Sequence, residues 1–305
     1  MILGLGGVVI DRSLIVPDIP GWDTVLHALH YSTHQGGMVA TALAASAKLG
    51  VSSEFIGAIG DDDAGGFIVR KFIENRVSCA RIIVKEGEPS PCSICLVNEK
   101  SGARTIIHYR GLQEQNSLDT DIDLTEKRYL HLDGYWPETA VNTAKKAKEA
   151  GIIVTLDPSS TLIGSPWFDE LLDLVDYIVP GYGFATGYTG KSDIDEMCRM
   201  IYRPSMTAVI ITWGYRGVFC YDGSDVVNYP GFNVDVVDTT GAGDVFHGAF
   251  LVGLHRGLSL SDNCVFGNAA AALKCRSVGG QGGIPTQDEV FRLLYDNGYT
   301  FFNPE

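Results

Sequence analysis

The sequence predicts an α/β fold in which helices flank a central, mostly parallel sheet, with a small β-sheet projecting as a lid. Three observations predict it. Short apolar runs rich in Val, Ile and Leu recur along the chain, helical patterns lie between them, and two extended segments interrupt the alternation. Runs of this kind are typical of buried parallel strands, and alternating strands and helices give a three-layer arrangement with helices on both faces of the sheet.

The apolar runs mark the strands of the central sheet. They are short and lack polar alternation, as expected for strands that are buried on both faces. We expect these strands at residues 2–10, 53–59, 129–132, 152–156, 177–179 and 209–212.

Between these runs, apolar residues recur with helical spacing. We expect helices at residues 39–49, 66–75, 138–150, 167–174 and 194–202. Consecutive strands joined through helices run parallel, so their carboxyl ends share one edge of the sheet, where α/β proteins bind ligands.

Residues 12–34 and 90–111 break the alternation. The first segment contains an extended run that ends at Pro17, and the second contains two extended runs joined by a polar turn. We expect them to form a lid on a single domain that covers residues 1–305. Such a lid covers a substrate and excludes water. Its exposed apolar residues would remain in water in a monomer, which favours a homodimer that forms through the lid.

The composition excludes several classes of partner. A net charge of −14 in 305 residues repels nucleic acid and anionic membrane surfaces. No apolar stretch approaches the length of a membrane span, and the apolar residues 1–10 lack the cationic start of a signal peptide. Seven cysteines, an odd number, are scattered through a chain too long to need disulfides. We therefore expect a cytoplasmic protein with reduced cysteines.

The most informative segment is Asp-Thr-Thr-Gly-Ala-Gly-Asp at residues 238–244. It lies between an apolar stretch at 234–237 and an apolar run that begins at Val245, so we expect a strand, a glycine turn and a helix. The free N–H groups of the first helical turn, with about half a positive charge from the helix dipole, would then face a ligand above the glycines. The segment predicts an anion site.

Asp244 would repel an anion that was only to be bound there. A carboxylate in the same helical turn is, however, well placed to act as a general base, and this combination indicates phosphoryl transfer. In that reading Asp244 accepts a proton from an attacking hydroxyl while the N–H groups stabilise the transferring group. The alternative is a tight strand-to-helix connection in which Asp244 is simply an acid at a helix start.

Two other glycine segments are weaker signals. Gly36 and Gly37 precede a helix of small residues, and the backbone there can approach a ligand closely, although small residues more often indicate tight helix packing. The segment from Thr212 to Gly217 follows a strand and is a candidate phosphate-binding turn, but Gly-x-x-Gly alone is not specific.

In their order along the chain, these segments resemble the PfkB family of carbohydrate kinases, also called the ribokinase family. The similarity covers nearly the whole chain and is most specific at residues 238–244. It implies a ribokinase-like, Rossmann-type three-layer domain that transfers the γ-phosphate of ATP, with Mg²⁺, to a hydroxyl of a small sugar or polyol. The nucleotide half is most similar to the sulfofructose kinase and ketohexokinase members.

The resemblance also implies roles for individual residues. Asp244 matches the family's general base. The anion hole corresponds to Gly241, Ala242 and Gly243. The substrate side corresponds to Asp11, Gly36, Gly37, Thr41, Arg104 and His108, with Thr41 where many members have Asn, and with His108 equally compatible with an exposed lid position. The nucleotide side corresponds to Thr212, Gly214, Gly217, Gly241, Gly243, Asn268 and Ala272. Asp238 and Thr240 correspond to a monovalent-cation site that is common in the family, which makes K⁺ a candidate cofactor.

One segment departs from the family pattern. Most members have Asn-x-x-Glu after the strand at 177–179, where the motif helps to organise Mg²⁺, but this chain has Gly181-Tyr182-Gly183-Phe184. Asp157, which ends a neighbouring strand, is a candidate for a water-mediated replacement. The departure leaves open a nucleotide-binding protein with weak catalytic activity. A nucleoside kinase also stays open, because an apolar slot for a base could be formed by Trp22, Tyr109, Tyr135 and Trp136.

Overall fold

Strands and helices alternate along most of the computed structural model, which describes residues 1–101 and 104–301. Residues 102 and 103 of the predicted lid, and the last four residues of the predicted domain, lie outside this range. The strands are β1 Ile2–Leu5, β2 Val9–Val16, β3 His30–Gly36, β4 Ser53–Ile56, β5 Ala58–Gly60, β6 Ile83–Lys85, β7 Cys92–Asn98, β8 Arg104–Tyr109, β9 Tyr129–Leu132, β10 Ile153–Leu156, β11 Tyr177–Ile178, β12 Ala208–Thr212, β13 Val218–Tyr221 and β14 Val226–Tyr229. The helices are α1 Met38–Lys48, α2 Asp63–Glu74, α3 Pro137–Glu149, α4 Pro166–Leu174, α5 Tyr182–Thr189, α6 Ile194–Ile201, α7 Ala242–His255, α8 Leu260–Lys274 and α9 Gln287–Asp296.

The central sheet has eight strands in the order β14-β13-β12-β11-β10-β9-β1-β4. Strands β4, β1, β9, β10, β11 and β12 are parallel, while β13 and β14 add an antiparallel edge. One apolar cluster, which includes Leu171, packs on one face of the sheet, and a second, which includes Leu43 and Val245, packs on the other. The predicted three-layer fold is confirmed, and the carboxyl ends of the parallel strands share one edge.

Two of the predicted strands are divided by glycines. The predicted strand at 2–10 ends at Leu5, and the chain re-enters sheet structure at Val9 in a different sheet. A Cβ on Gly6 would lie 2.3 Å from the Asp133 carboxylate, so this break makes room for a buried acid. The run at 53–59 is divided in the same way at Gly57, where a Cβ would lie 2.6 Å from the Gly6 carbonyl oxygen. Apolar pattern alone does not show where a strand changes sheets.

The second sheet has four strands in the order β3-β2-β7-β8. The β2–β3 and β7–β8 pairs are antiparallel, and β2 pairs with β7 in parallel. Its strands come mostly from the two segments that we predicted for the lid, although β2 begins at Val9, before residue 12, and β3 ends at Gly36, after residue 34. We call this sheet the lid sheet.

The apolar stretch at 234–237 is not a strand, so that prediction was wrong. The N–H groups of Val237 and Asp238 both donate to the carbonyl of Cys275, at 2.8 and 3.1 Å. The segment therefore runs along the C-terminal end of α8, outside the central sheet, and the predicted helix begins at Ala242.

Among the described helices, none has the length and apolarity needed to cross a membrane.

Candidate active site

The turn at 238–244 places backbone donors at the start of α7. Gly241 precedes the helix in the left-handed conformation, with φ of 77°. Within the described part of the chain, the N–H groups of Gly241 and Gly243 have no acceptor, whereas the N–H of Ala242 donates to the Thr239 carbonyl at 3.2 Å. Gly241 and Gly243 are therefore the open donors of the predicted anion hole, and the positive end of the α7 dipole lies behind them.

Gly241 is required for the shape of this turn. A Cβ there would lie 2.4 Å from the carbonyl oxygen of Gly280, and a positive φ is costly for any other residue. The turn and the loop around Gly280 thus meet backbone to backbone.

Asp244 lies in the first turn of α7 and is partly buried. Burial raises its pKa well above the ordinary value, and the carboxylates of Asp157, Asp11 and Asp133 raise it further, while the Lys274 ammonium opposes them. An acid with a raised pKa holds a proton more readily, which suits a general base. Three acidic neighbours therefore raise the pKa of Asp244: Asp133 and Asp157 follow strands of the central sheet, and Asp11 lies on the lid sheet.

Asp133 follows β9 and is fully buried. Its carboxylate accepts hydrogen bonds from the N–H groups of Gly7, at 2.8 Å, and Tyr135, at 2.9 Å. Burial nevertheless raises its pKa to about 8. Asp133 therefore holds the chain in place just after β1, and it is close enough to Asp244 to raise the pKa of that residue.

Asp157 follows β10 and is paired with a histidine of α7. The Nε2 atom of His247 lies 3.3 Å from an Asp157 carboxylate oxygen. His247 comes three residues after Asp244, so the pair ties the helix that carries the candidate base to the neighbouring strand end.

A row of four polar side chains crosses the lid sheet. His34, Asp11, Ser93 and His108 occupy successive register positions on β3, β2, β7 and β8. Ser93 Oγ is 2.9 Å from His108 Nδ1, and Ser93 also hydrogen-bonds to Asp11. Burial raises the pKa of Asp11, and burial lowers the pKa values of both histidines. The predicted substrate residues Asp11 and His108 are thus brought together on one face.

The other predicted substrate residues occupy the start of α1. Gly36 leaves room for Asp11, because a Cβ there would lie 2.1 Å from its carboxylate. Gly37 caps α1 with φ of 108° and packs against the Gly7 carbonyl. Thr41 is buried, and its hydroxyl has no hydrogen-bond partner in the described residues. Gly36 therefore leaves space for the Asp11 side chain, and Gly37 leaves space for the chain between β1 and β2. A substrate-binding role for Thr41 stays a prediction.

Arg104 links the lid sheet to the turn at 238–244. It is exposed on β8, and its guanidinium donates to the Thr240 hydroxyl at 2.5 Å. The same lid sheet carries Asp11, and a Cβ on Gly279 would lie 2.8 Å from the His34 ring. The lid sheet therefore covers the turn in this structure.

The turn after β12 is built around an aromatic stack. The rings of Tyr182 and Trp213 lie 3.9 Å apart and are parallel to within 2°. The guanidinium of Arg216 lies 4.1 Å from the Trp213 ring centre. Gly214 is exposed in this turn, whereas a Cβ on Gly217 would lie 2.0 Å from the Tyr229 carbonyl oxygen. Thr212 and Gly214 are accessible to a ligand, and Gly217 has a packing role.

Two predicted nucleotide residues lie on α8. The amide of Asn268 donates to the carbonyls of Tyr229, at 2.9 Å, and Pro230, at 3.3 Å. These bonds hold the strand end against which Gly217 packs, while Ala272 is partly exposed one turn later. Nucleotide contact by either residue stays a prediction.

Residues 181–184 do not fit a metal-organising role. Gly181 and Gly183 are exposed and have no side chains, Tyr182 belongs to the stack, and Phe184 packs edge-on against Phe168 with ring centres 5.4 Å apart. This segment offers Mg²⁺ no carboxylate, and across the described residues no cluster of three or more His, Cys, Asp or Glu side chains is placed to hold a metal ion.

At the predicted monovalent-cation site, the oxygen atoms of Asp238 already accept hydrogen bonds from within the protein. The two carboxylate oxygens of Asp238 accept the N–H groups of Thr240 and Gly279, each at 2.8 Å, and its carbonyl accepts the ammonium of Lys274 at 2.9 Å. These hydrogen bonds hold the pKa of Asp238 below its ordinary value, against the effect of burial. A lysine already supplies the positive charge at this position.

Sequence reasoning missed several residues that shape the site: His34, Ser93, Asp133, His247 and Lys274. Asp133, like the predicted candidate Asp157, directly follows a predicted strand, and that position is a usable signal. The other four become visible only from strand register or helix packing.

The comparisons with known proteins agree in family. The profile of the family described as "pfkB family carbohydrate kinase" matches residues 1–287. The chain is 30% identical over 300 residues to a ribokinase of Haemophilus influenzae, covering 95% of this chain and 97% of that one. It is 28% identical over 289 residues to mouse ketohexokinase, covering 90% and 95%. The crystal structure of a Thermotoga maritima ribokinase matches with a TM-score of 0.83 at 27% identity, covering 96% of this chain and 99% of the other.

Proposed function

Because the chain belongs to the PfkB family of carbohydrate kinases, we propose that it transfers the γ-phosphate of ATP to a hydroxyl of a small sugar or polyol, with Asp244 as the general base. The observation that carries this proposal is the position of Asp244 in the same helical turn as two open N–H donors. Its raised pKa and its acidic neighbours give it the character of a proton acceptor.

The proposed reaction uses the carboxylate of Asp244 and the N–H groups of the same turn. Asp244 removes the proton from the attacking hydroxyl, and the N–H groups of Gly241 and Gly243 stabilise the negative charge on the transferring phosphoryl group. Arg104 supplies a positive charge from the lid sheet beside Thr240. The acceptor oxygen then lies between Asp11 and Asp244, because Asp11 is close enough to raise the pKa of Asp244.

ATP is proposed to bind above α7 and the turn at 212–214. When it accompanies ATP, Mg²⁺ would neutralise charge on the phosphates. Residues 181–184 add no ligand to that ion, so none of the proposed steps depends on them.

The polar row on the lid sheet supports an acceptor rich in hydroxyls. Asp11 and Ser93 offer acceptor and donor atoms at adjacent register positions, as a sugar requires. An ADP-release screen over ketoses, aldoses, deoxy-sugar acids, inositols and nucleosides tests this proposal. Turnover of a sugar or polyol supports it, turnover of nucleosides alone would replace it with a nucleoside kinase, and ATP binding without any turnover would contradict it.

The raised pKa of Asp244 has a predictable effect on pH dependence. The base works only when it is deprotonated, so kcat should fall as pH decreases through a pKa above the ordinary Asp range of about 4. Replacing Asp157 by Asn removes a nearby negative charge, and we expect the acidic limb to move to lower pH. Measuring kcat against pH at saturating substrates, with the exposed Asp235→Asn as control, checks the direction. An unmoved limb in Asp157→Asn would contradict it.

We also propose that the outer face of the lid sheet forms a homodimer. Ile94 and Ile107 face each other in register on the side opposite the Ser93–His108 pair, and both are exposed, at 41% and 58%. Tyr31 adds further exposed apolar surface on that side. We expect the wild type to sediment as a dimer and the double variant Ile94→Lys/Ile107→Lys as a monomer.

The matched control for this experiment is Met200→Lys, which changes an exposed apolar residue of α6, a helix that packs on β12, β13 and β14 of the central sheet. It should remain dimeric. A monomeric wild type at micromolar concentration would contradict the proposal.

A further inference from the structure

Lys274, the last residue of α8, has no exposed surface, which is rare for lysine. Its ammonium donates to the carbonyl oxygens of Asp238 at 2.9 Å and Ser277 at 3.4 Å. Asp238 begins the turn at 238–244, which we call the catalytic turn because of the proposed reaction. Ser277 begins the loop that contains Gly280 and packs against this turn. The buried charge therefore bridges the two segments whose backbones meet at Gly241 and Gly280.

The other bonds in this region hold the same two segments together. Asp238 accepts the N–H of Thr240 from the turn and the N–H of Gly279 from the loop. The Cys275 carbonyl accepts the N–H groups of Val237 and Asp238. Each of these hydrogen bonds holds the chain just before Gly241. Among them, the Lys274 ammonium is the donor that carries a positive charge.

We propose that the Lys274 ammonium takes the place of a bound monovalent cation in this chain, and that the enzyme works without K⁺. The inference rests on the proposed phosphoryl transfer at this turn. Lys274 is a positioning residue: it holds the carbonyls of Asp238 and Ser277 so that the Gly241 and Gly243 N–H groups keep their direction. A metal cation at the same carbonyls would face a like charge within a few ångströms, so the two exclude each other.

The wild-type protein gives the first test. ATP binding is measured by calorimetry, and thermal stability by melting, in buffers whose only cations besides Mg²⁺ are K⁺, Na⁺ or tetramethylammonium at equal ionic strength. We expect the dissociation constant for ATP to agree within about twofold among the three, and Tm to be the same. ATP affinity or Tm that rises specifically with K⁺ would overturn the proposal.

Substitution gives the second test. In Lys274→Ala the carbonyls lose their cation and a space opens, so K⁺ or NH₄⁺ should restore function in a saturable way. We expect kcat to fall by about tenfold to a hundredfold in tetramethylammonium, since small displacements of catalytic donors have effects of this size, and to recover on adding K⁺ or NH₄⁺. Lys274→Ala that loses activity with no response to either cation would contradict the proposal.

Lys127→Ala is the matched control, because its side chain is also nearly buried, at 7% exposure, and its ammonium is paired with Glu54 at the opposite, N-terminal edge of the central sheet. This variant should show no cation response. If Lys274→Ala does not fold, the wild-type comparison decides alone. Absence of turnover in every cation would count against the proposed function, whereas ATP binding that depends on K⁺ would count against Lys274.

Discussion

Replacing Asp244 by Asn is expected to lower kcat by about 10² to 10⁴, the usual contribution of a positioned general base. Asparagine keeps the size of the side chain and its position in the first turn of α7 but cannot accept the proton. ATP should bind at least as tightly, because one negative charge near its phosphates is removed. Steady-state kinetics and ATP calorimetry measure the two effects separately.

The same variant should be more stable at neutral pH. The pKa of Asp244 is higher in the folded protein than in the unfolded chain, so folding favours the protonated form. Stability therefore falls as pH rises from the ordinary Asp range through the folded pKa, and above that pKa the ionised group is a cost. Asparagine removes that cost, and Tm should rise. Asp235→Asn, an exposed site nearby, should change neither kcat nor Tm. Activity retained in Asp244→Asn would remove this residue from the mechanism.

Replacing Gly241 by Ala is expected to have the second largest effect. The added Cβ meets the Gly280 carbonyl oxygen at 2.4 Å, and alanine is strained at a φ of 77°. The turn must shift, and its N–H donors then point away from the transferring group. Loss of one such donor costs about 2.7 to 4 kcal/mol, or about 10² to 10³ in kcat.

Gly257→Ala is the control for backbone strain. Gly257 lies just after the other end of α7 with φ of 70°, but a Cβ there would meet no atom within 4 Å. This variant should lower Tm slightly and leave kcat unchanged, which separates strain from loss of the donors. A Gly241→Ala enzyme with kcat close to the wild-type value would show that the turn tolerates the shift and does not act as the anion hole.

The parallel strands of the central sheet and most of the helices between them follow from the sequence, because each buried strand is a short apolar run and the apolar residues of each helix recur with helical spacing. Strands β13 and β14 and helices α5 and α9 were not predicted. The exceptions are informative. Residues 234–237 are as apolar as a strand, yet they pair with the end of α8, because the Cys275 carbonyl is available to them. The division at Gly6 depends on Asp133, which is distant in sequence and takes the space that a side chain would need.

The candidate site likewise contains residues that the sequence identifies and residues that only the folded structure reveals. Asp244 and the glycines before it are recognisable because the chemistry requires consecutive residues. Lys274, His247 and Ser93 are not, since each acts through a partner that only the fold brings near. The spacing of a motif therefore predicts the reacting groups, while the groups that set their charge and position depend on tertiary packing.

The lid sheet has one more consequence, for the fate of ATP when no acceptor is present. Strand β2 carries Asp11 and strand β8 carries Arg104, so both belong to one hydrogen-bonded sheet that joins the central sheet through residues 6–8. Any displacement of that sheet moves both side chains away from the turn together. A water molecule that entered the uncovered site would then reach the γ-phosphate of ATP while the Arg104 and Asp11 side chains were displaced from it. Because β2 and β8 belong to one sheet, the proposed reaction would lose Asp11 and Arg104 together in such a displacement, and this joint loss would slow the hydrolysis of bound ATP by water.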